Sequence, residues 1–279
     1  MATAPAHGAP LCSMTGFGSA AVGFGCNEAN EGDDMTGHLA KRLLRPLLGA
    51  AAPLVQPASS LAMWAAAMRN LKRRGFAPKT VFDVGVAAGT PDLYAAFPDA
   101  RFFLIDPTRQ SLPYMAQLAR RFDAAVFNLA LGEVDGEMEI EARLDDIKGA
   151  TFFQEIGPLG PTERYLVPVR RFDSIFADFA RPSLCKIDVQ GAELLVLRGM
   201  GDRICDIDAL IVEVSTIATL ADGPEAFDVI AFLKQRGFVI FDLLGTSRRP
   251  LDQTLAQLDI LFVQEGSPFR TDHRWRDAL

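Results

Sequence analysis

The stretch Thr80–Thr90, Thr-Val-Phe-Asp-Val-Gly-Val-Ala-Ala-Gly-Thr, constrains this chain more than any other. An apolar run rich in β-branched and aromatic residues leads into an acid, two glycines follow four residues apart, and Thr90-Pro91 opens a helix-compatible segment. That order predicts strand, tight turn and helix, the form of a nucleotide-binding turn. Glycines suit it because a Cβ would hold a ligand off the backbone and would strain the left-handed conformations such turns use. Asp83 narrows the choice of ligand. In a dinucleotide-binding loop, a carboxylate so close to the first glycine would repel the pyrophosphate at the helix N-terminus. S-adenosylmethionine instead offers an ammonium, a sulfonium and ribose hydroxyls, so Asp83-x-Gly85-x-x-x-Gly89, with Val86 inside the loop, points to that methyl donor. A glycine-rich turn in an ordinary α/β protein is the alternative that the loop alone leaves open.

Further acids fall where the same ligand would want them. Arg101-Phe-Phe-Leu-Ile-Asp106-Pro107 reads as a second buried strand ending in an acid 23 residues after Asp83, the position from which a carboxylate accepts hydrogen bonds from ribose hydroxyls. A turn-forming Asp before Pro107 is its plain alternative. Ala124–Leu131 predicts a third strand, near whose end Asn128 and Ala130 could flank an adenine, although Asn128 could equally form a turn. Residues 143–164 carry three glycines and two prolines with little periodicity, which predicts a functional loop, read as a lid on the substrate side.

A second informative stretch is Ser183–Glu193, a buried strand ending at Asp188, a turn allowed by Gly191, and a short helix from Glu193 closed by Gly199. Lys186-Ile-Asp-Val-Gln-Gly-Ala-Glu193 with Leu197-x-Gly199, behind Asp83-Val-Gly85, closely resembles the FkbM-type family of S-adenosylmethionine-dependent methyltransferases, over about residues 77–264. Gln190 stands where the family usually has Glu, and Val86-Ala87 where many members have Ala-Asn. The resemblance implies an α/β class I methyltransferase (Rossmann-like) fold, a seven-stranded mostly parallel sheet with a C-terminal antiparallel hairpin. It also implies O-methylation of sugar or natural-product hydroxyls as a common activity. Asp83, Gly85 and Gly89 match the donor loop, Asp106 the ribose acid, and Asp188 with Glu193 the acidic motif beside the methyl group.

Methyl transfer to a hydroxyl needs alignment of donor and acceptor and removal of a weakly acidic proton. His7 lies in a tail, and His38 and His273 lie outside the family-like core, so a carboxylate base is expected. Asp188 is the first choice and Glu193 or Glu213 the second. Asp188 could instead hold the donor's amino group, or bind a divalent ion with Glu213; two separated acids are not a coordination pattern, and no metal is expected.

The remaining expectations concern organisation. A net charge of −7 disfavours a nucleic-acid partner and suits a small-molecule or glycan acceptor. The four cysteines show no CxxC spacing, no basic leader precedes an apolar run, and no apolar stretch reaches the roughly 20 residues of a membrane span, so a cytoplasmic protein with reduced thiols is expected. Residues 1–35 are expected to be disordered. Residues 36–76 should form helices, one striped by Leu39, Leu43 and Leu47 and one running from Ser59 or Ser60 to the cations before Gly75. The methyltransferase domain then spans 77–264, and 265–279 forms a tail. The leading helices either pack on the sheet or cover the ligand; the sequence does not choose.

Overall fold

The computed structural model describes residues 60–157 and 160–276. The expected tail over 1–35 and the first leading helix lie outside the described residues. The second leading helix is α1 (Ser60–Arg73), with Lys72 and Arg73 in its last turn and Gly75 beyond it at φ 86°. Cations there oppose the partial negative charge of the helix end, and glycine adopts the left-handed exit without strain.

The chain then alternates strand and helix: β1 (Thr80–Val84), α2 (Pro91–Ala96), β2 (Arg101–Ile105), α3 (Leu112–Ala119) and β3 (Ala124–Phe127). After an inserted segment come α4 (Phe172–Ile175), β8 (Ser183–Ile187), α5 (Glu193–Gly199), β9 (Ala209–Ser215), α6 (Ala226–Gln235), β10 (Phe238–Arg248) and β11 (Leu255–Gln264). The insertion holds β4 (Ala130–Leu131), β5 (Gly136–Arg143), β6 (Ala150–Thr151) and β7 (Thr162–Arg170). The main sheet has seven strands in the order β10-β11-β9-β8-β1-β2-β3, and β11 alone runs against the others. This is the expected class I methyltransferase architecture, closed by its antiparallel hairpin.

Burial on both faces explains the apolar strands. Phe82, Val84, Cys185, Ile187, Leu210 and Val212 point to one face, against α5 and α6. Val81, Leu104, Leu184 and Ile211 point to the other, against α1, α2 and α3. Phe82 alone has Phe103, Phe172, Phe176 and Phe179 rings about it at 4.9–5.0 Å, which fixes α4 on the sheet.

Two local expectations change. The strand expected over Ala124–Leu131 breaks at Asn128: β3 stays in the main sheet, whereas β4 pairs with β7 in a separate four-stranded sheet, β4-β7-β5-β6. Arg171 precedes the single turn α4 and grips the Asp173 carboxylate at 2.6 Å. The stretch after β11 is no free tail at its start, because Phe269 packs edge-on against Phe76 with ring centroids 5.5 Å apart. Among the described residues no helix is long and apolar enough to cross a membrane.

Candidate active site

A parallel sheet exposes its strand ends, and ligands gather outside the carboxyl rim. Here a cavity of about 380 Å³ opens along that rim, lined by the ends of β1, β2, β8 and β9, by α1 and by the insertion. Of the sequence-predicted residues, Gly85, Val86, Gly89, Asp106, Pro107, Ala130, Asp188 and Glu213 line it. Asp83, Asn128 and Glu193 do not.

Strand position explains the split. Asp106 and Asp188 are the first residues beyond β2 and β8, so they clear the rim, whereas Asp83 is still inside β1 and points to a face of the sheet. Register sets Asp83 beside Lys186. The Asp83 carboxylate is fully buried, takes a hydrogen bond from the Tyr94 hydroxyl and pairs with Lys186 Nζ at 3.4 Å. Burial pushes its pKa up, against the pull of Lys186. Asp83, expected in the donor loop, thus lies outside the cavity lining and is linked to it through Lys186, whose Nζ also donates to the Gly85 carbonyl at 3.2 Å and pairs with Asp188 at 3.2 Å. Burial works against the Lys186 charge, but the Asp188 and Asp83 carboxylates outweigh it and hold its pKa above the ordinary value.

The glycines do steric work. A Cβ on Gly85, at φ 81°, would overlap the Asp188 carbonyl, so the first glycine lets the ends of β1 and β8 approach. Gly89, at φ 102°, closes a tight turn by donating to the Val86 carbonyl at 2.6 Å. Between them Ala87 donates its N–H to Asp106 Oδ2 at 2.9 Å. Asp106 Oδ1 takes three more donors, Thr108 N, Thr108 Oγ1 and Ser111 Oγ, at 2.6–2.9 Å. Oδ2, with a single donor, keeps a lone pair for a ligand hydroxyl. Asn128 braces this turn from below, its amide donating to the Asp106 and Thr108 carbonyls at 2.9 and 3.3 Å. Asn128, expected either to flank an adenine or to form a turn, lies outside the cavity lining, at the point where the chain leaves the main sheet.

Glu193 likewise faces its own loop. Its Oε1 accepts the N–H groups of Val189 and Gly191 at 3.3 and 3.0 Å, and burial raises its pKa to about 7. Gln190, at a strained φ of 50°, sends its amide to both Asp188 Oδ1 and Glu213 Oε1 at 3.0 Å. Gln257 adds a second donor to Glu213 Oε1 at 2.7 Å. Burial first, and then the neighbouring carboxylates Asp188, Asp259 and Glu193, push Glu213 up to about 9, so it keeps its proton near neutral pH.

The lid expected over 143–164 is partly built of strands, but Ile147, Lys148, Thr151 and Phe152 do line the cavity. Thr151 Oγ1 donates to the Gln190 carbonyl at 2.7 Å, and Ala221 donates its N–H to the Gln154 carbonyl at 2.8 Å, which pins this segment over the acidic motif. The α1 helix packs on the hairpin, one of the two roles left open by the sequence, and places Trp64 in the cavity wall.

A model of the methyltransferase FkbM domain matches residues 83–240, more than half of the chain. The chain belongs to the FkbM-domain methyltransferases. S-adenosylmethionine is the methyl donor of this enzyme class, and the cavity suits it. With Glu213 protonated, the carboxyl groups of Asp92, Asp106, Asp188 and Asp259 still outnumber the ammonium groups of Lys148 and Lys186, a wall that favours a cation. Solved structures similar to this methyltransferase include the 1,6-didemethyltoxoflavin-N1-methyltransferase of Burkholderia thailandensis, at 13% identity over 85% of this chain and 93% of that one, TM-score 0.40. The N-methyltransferase NodS of Bradyrhizobium japonicum matches at 13% identity over 80% and 97%, TM-score 0.41. Magnesium protoporphyrin IX methyltransferase of Synechocystis matches at 13% identity over 84% and 86%, TM-score 0.38. Likenesses this distant carry nothing over to the acceptor of this methyltransferase. No curated protein matches the chain.

Sequence reasoning assigned no role to Lys186, Tyr94, Gln190, Asp259 or Trp64. Lys186 and Gln190 stand inside the motif Lys186–Glu193, and alternation along β8 sets Lys186 on the same buried side as Leu184. Trp64 and Asp259 come together across 195 residues, which nothing local announces.

Proposed function

We propose that this methyltransferase acts on a hydroxyl of a sugar or natural-product acceptor, with Asp188 as the base, and that nucleic acid is not its substrate. When bound, S-adenosylmethionine supplies an electrophilic methyl group on a sulfonium leaving group. Donor contacts fall to Gly85, Val86, Gly89, Asp106, Pro107 and Ala130, the residues that line the cavity around the glycine turn.

One observation supports Asp188 above all: its side chain is 29% exposed, opens to the cavity and has its two oxygens held separately, Oδ2 by Lys186 at 3.2 Å and Oδ1 by Gln190 at 3.0 Å. A base oriented from two sides keeps its remaining lone pairs for an acceptor proton. Glu213 holds its own proton near neutral pH and suits hydrogen bonding to the acceptor, while Glu193 is turned away into the loop it braces. The carboxyl groups of Asp92, Asp106, Asp188 and Asp259 in the wall oppose a polyphosphate.

Incubation with isotopically labelled S-adenosylmethionine and a cell extract, followed by mass spectrometry of labelled products, tests the reading. A product methylated on oxygen is the expected result; label only on nitrogen, carbon or RNA overturns the hydroxyl assignment. Calorimetry should show S-adenosylmethionine binding, and tighter binding of NAD would overturn the donor assignment as well.

A further inference from the structure

The turn between β8 and α5 is held in a conformation that its sequence does not favour. Gln190 and Gly191 are successive residues with positive φ, 50° and 97°. Glycine adopts such a backbone freely, whereas at Gln190 it is strained and persists only where neighbours hold it. Those neighbours come from the lid and from the segment after β9. Among the described residues the only donor to the Gln190 carbonyl is the Thr151 hydroxyl, at 2.7 Å. Phe153 and Leu220 lie over Gly191 so closely that a Cβ there would overlap Leu220. Thr151 is itself 4% exposed and is fixed from both sides. Before it, β6 pairs with β5, with Thr151 opposite Glu141. After it, Ile156 donates its N–H to the Thr219 carbonyl at 2.9 Å and Ala221 donates to the Gln154 carbonyl, around the bridge between Glu155 and Leu220.

What this turn carries is the Gln190 amide. Its nitrogen has two N–H groups and lies 3.0 Å from both Asp188 Oδ1 and Glu213 Oε1, so one amide serves both acids. A side chain that bridges two carboxyl groups fixes each relative to the other, and whatever fixes the turn fixes both. Thr151, Gln190, Asp188 and Glu213 all line the cavity, so the run of contacts follows its wall from lid to acids. We propose that Thr151 and Gln190 are positioning residues of this methyltransferase: the lid hydroxyl holds the Gln190 turn, and the Gln190 amide in turn aims Asp188 and Glu213, so the base is set only when the lid is in place. This deepens the reading of Asp188 as the base and rests on it.

The link can be read at the base itself. With the aspartate carboxyl carbons isotopically labelled, the NMR resonance missing from Asp188→Asn is that of Asp188. Spectra are compared for the wild type, Thr151→Val, Thr151→Ser, Gln190→Met and the Thr151→Val, Gln190→Met double variant, each saturated with S-adenosylhomocysteine as judged by calorimetry. The initial rate of label transfer from saturating S-adenosylmethionine into a cell extract is measured alongside. Thr151→Val and Gln190→Met are each expected to move the Asp188 resonance and to slow transfer by roughly 10- to 100-fold, the scale on which a misplaced group costs rate. The double variant is expected to lose no more than Gln190→Met alone, because both changes break one link. Thr151→Ser keeps the hydroxyl and is expected to recover most of the loss, and S-adenosylhomocysteine affinity stays within a few-fold throughout. An unmoved Asp188 resonance or an undiminished rate in Thr151→Val, losses that add in the double variant, or a Thr151→Ser as slow as Thr151→Val overturns the coupling. An Asp188→Asn chain that transfers label at the wild-type rate defeats the reading of Asp188 as base instead, which separates the two.

Discussion

The two ends of the cavity are built on opposite principles. At the glycine-turn end the polar groups are tied down by neighbours in the chain: Asp106 receives four hydrogen bonds, three of them from Thr108 and Ser111, and Asn128 braces the turn beneath. At the far end Glu213 and Asp259 face each other across two strands, with burial raising both pKa values. A satisfied carboxylate in a rigid turn is preorganised for one recurring ligand. Carboxyls held short of partners and half out of water leave hydrogen-bonding capacity for a second ligand. Lys186 joins the two ends, touching Gly85, Asp83 and Asp188 at once.

Four outcomes would break or sharpen this contrast. The largest belongs to the junction: Asp188→Asn should lower kcat by about 10²–10⁴-fold while donor affinity from calorimetry stays within a few-fold. An unchanged turnover removes Asp188 as base. Next, Asp106→Ala deletes charge-assisted hydrogen bonds of about 1.5–3 kcal/mol and should weaken S-adenosylmethionine binding by roughly 10- to 150-fold, with kcat at saturating donor less affected. A loss confined to kcat would reverse the assignment of the two ends.

The third outcome reads the strained end through pH. Burial and the neighbouring carboxyls raise the Glu213 pKa in the fold to about 9, above its ordinary value, so between the two the folded chain binds the extra proton and stability falls as pH rises. Glu213→Gln cannot ionise. Its thermal stability should gain on the wild type from pH 6 to pH 9, by up to about 1.4 kcal/mol per pH unit, and parallel melting curves across that window would mean Glu213 is not held protonated. The smallest effect is expected for Asn128→Ala, about 1 kcal/mol in denaturant unfolding, with donor affinity reduced only as far as the Asp106 turn loosens.

Much of this was legible in the chain. The strand-turn-helix at Thr80–Thr90, the strand ending before Asp106 and the acidic motif after β8 are local patterns, and each lies where its spacing predicted. Asp83 was legible as an acid but not as a buried one, because its distance from the rim depends on β1 running one residue further, to Val84. The break between β3 and β4 was not legible either: Asn128 alone interrupts the apolar run Ala124–Leu131, and it is β7 that draws Ala130 and Leu131 into another sheet.

By itself, then, the sequence determined the alternation of strands and helices, the glycines at Gly85 and Gly89 and the acids at the strand ends, because these depend on residues within a few positions of one another. Tertiary structure alone decided which acids reach the cavity, that Lys186 links Asp83 to Asp188, and that Trp64 meets Asp259. Those pairings follow from strand register and from the packing of α1 on the hairpin, which join residues far apart in the chain and leave no periodic trace in it.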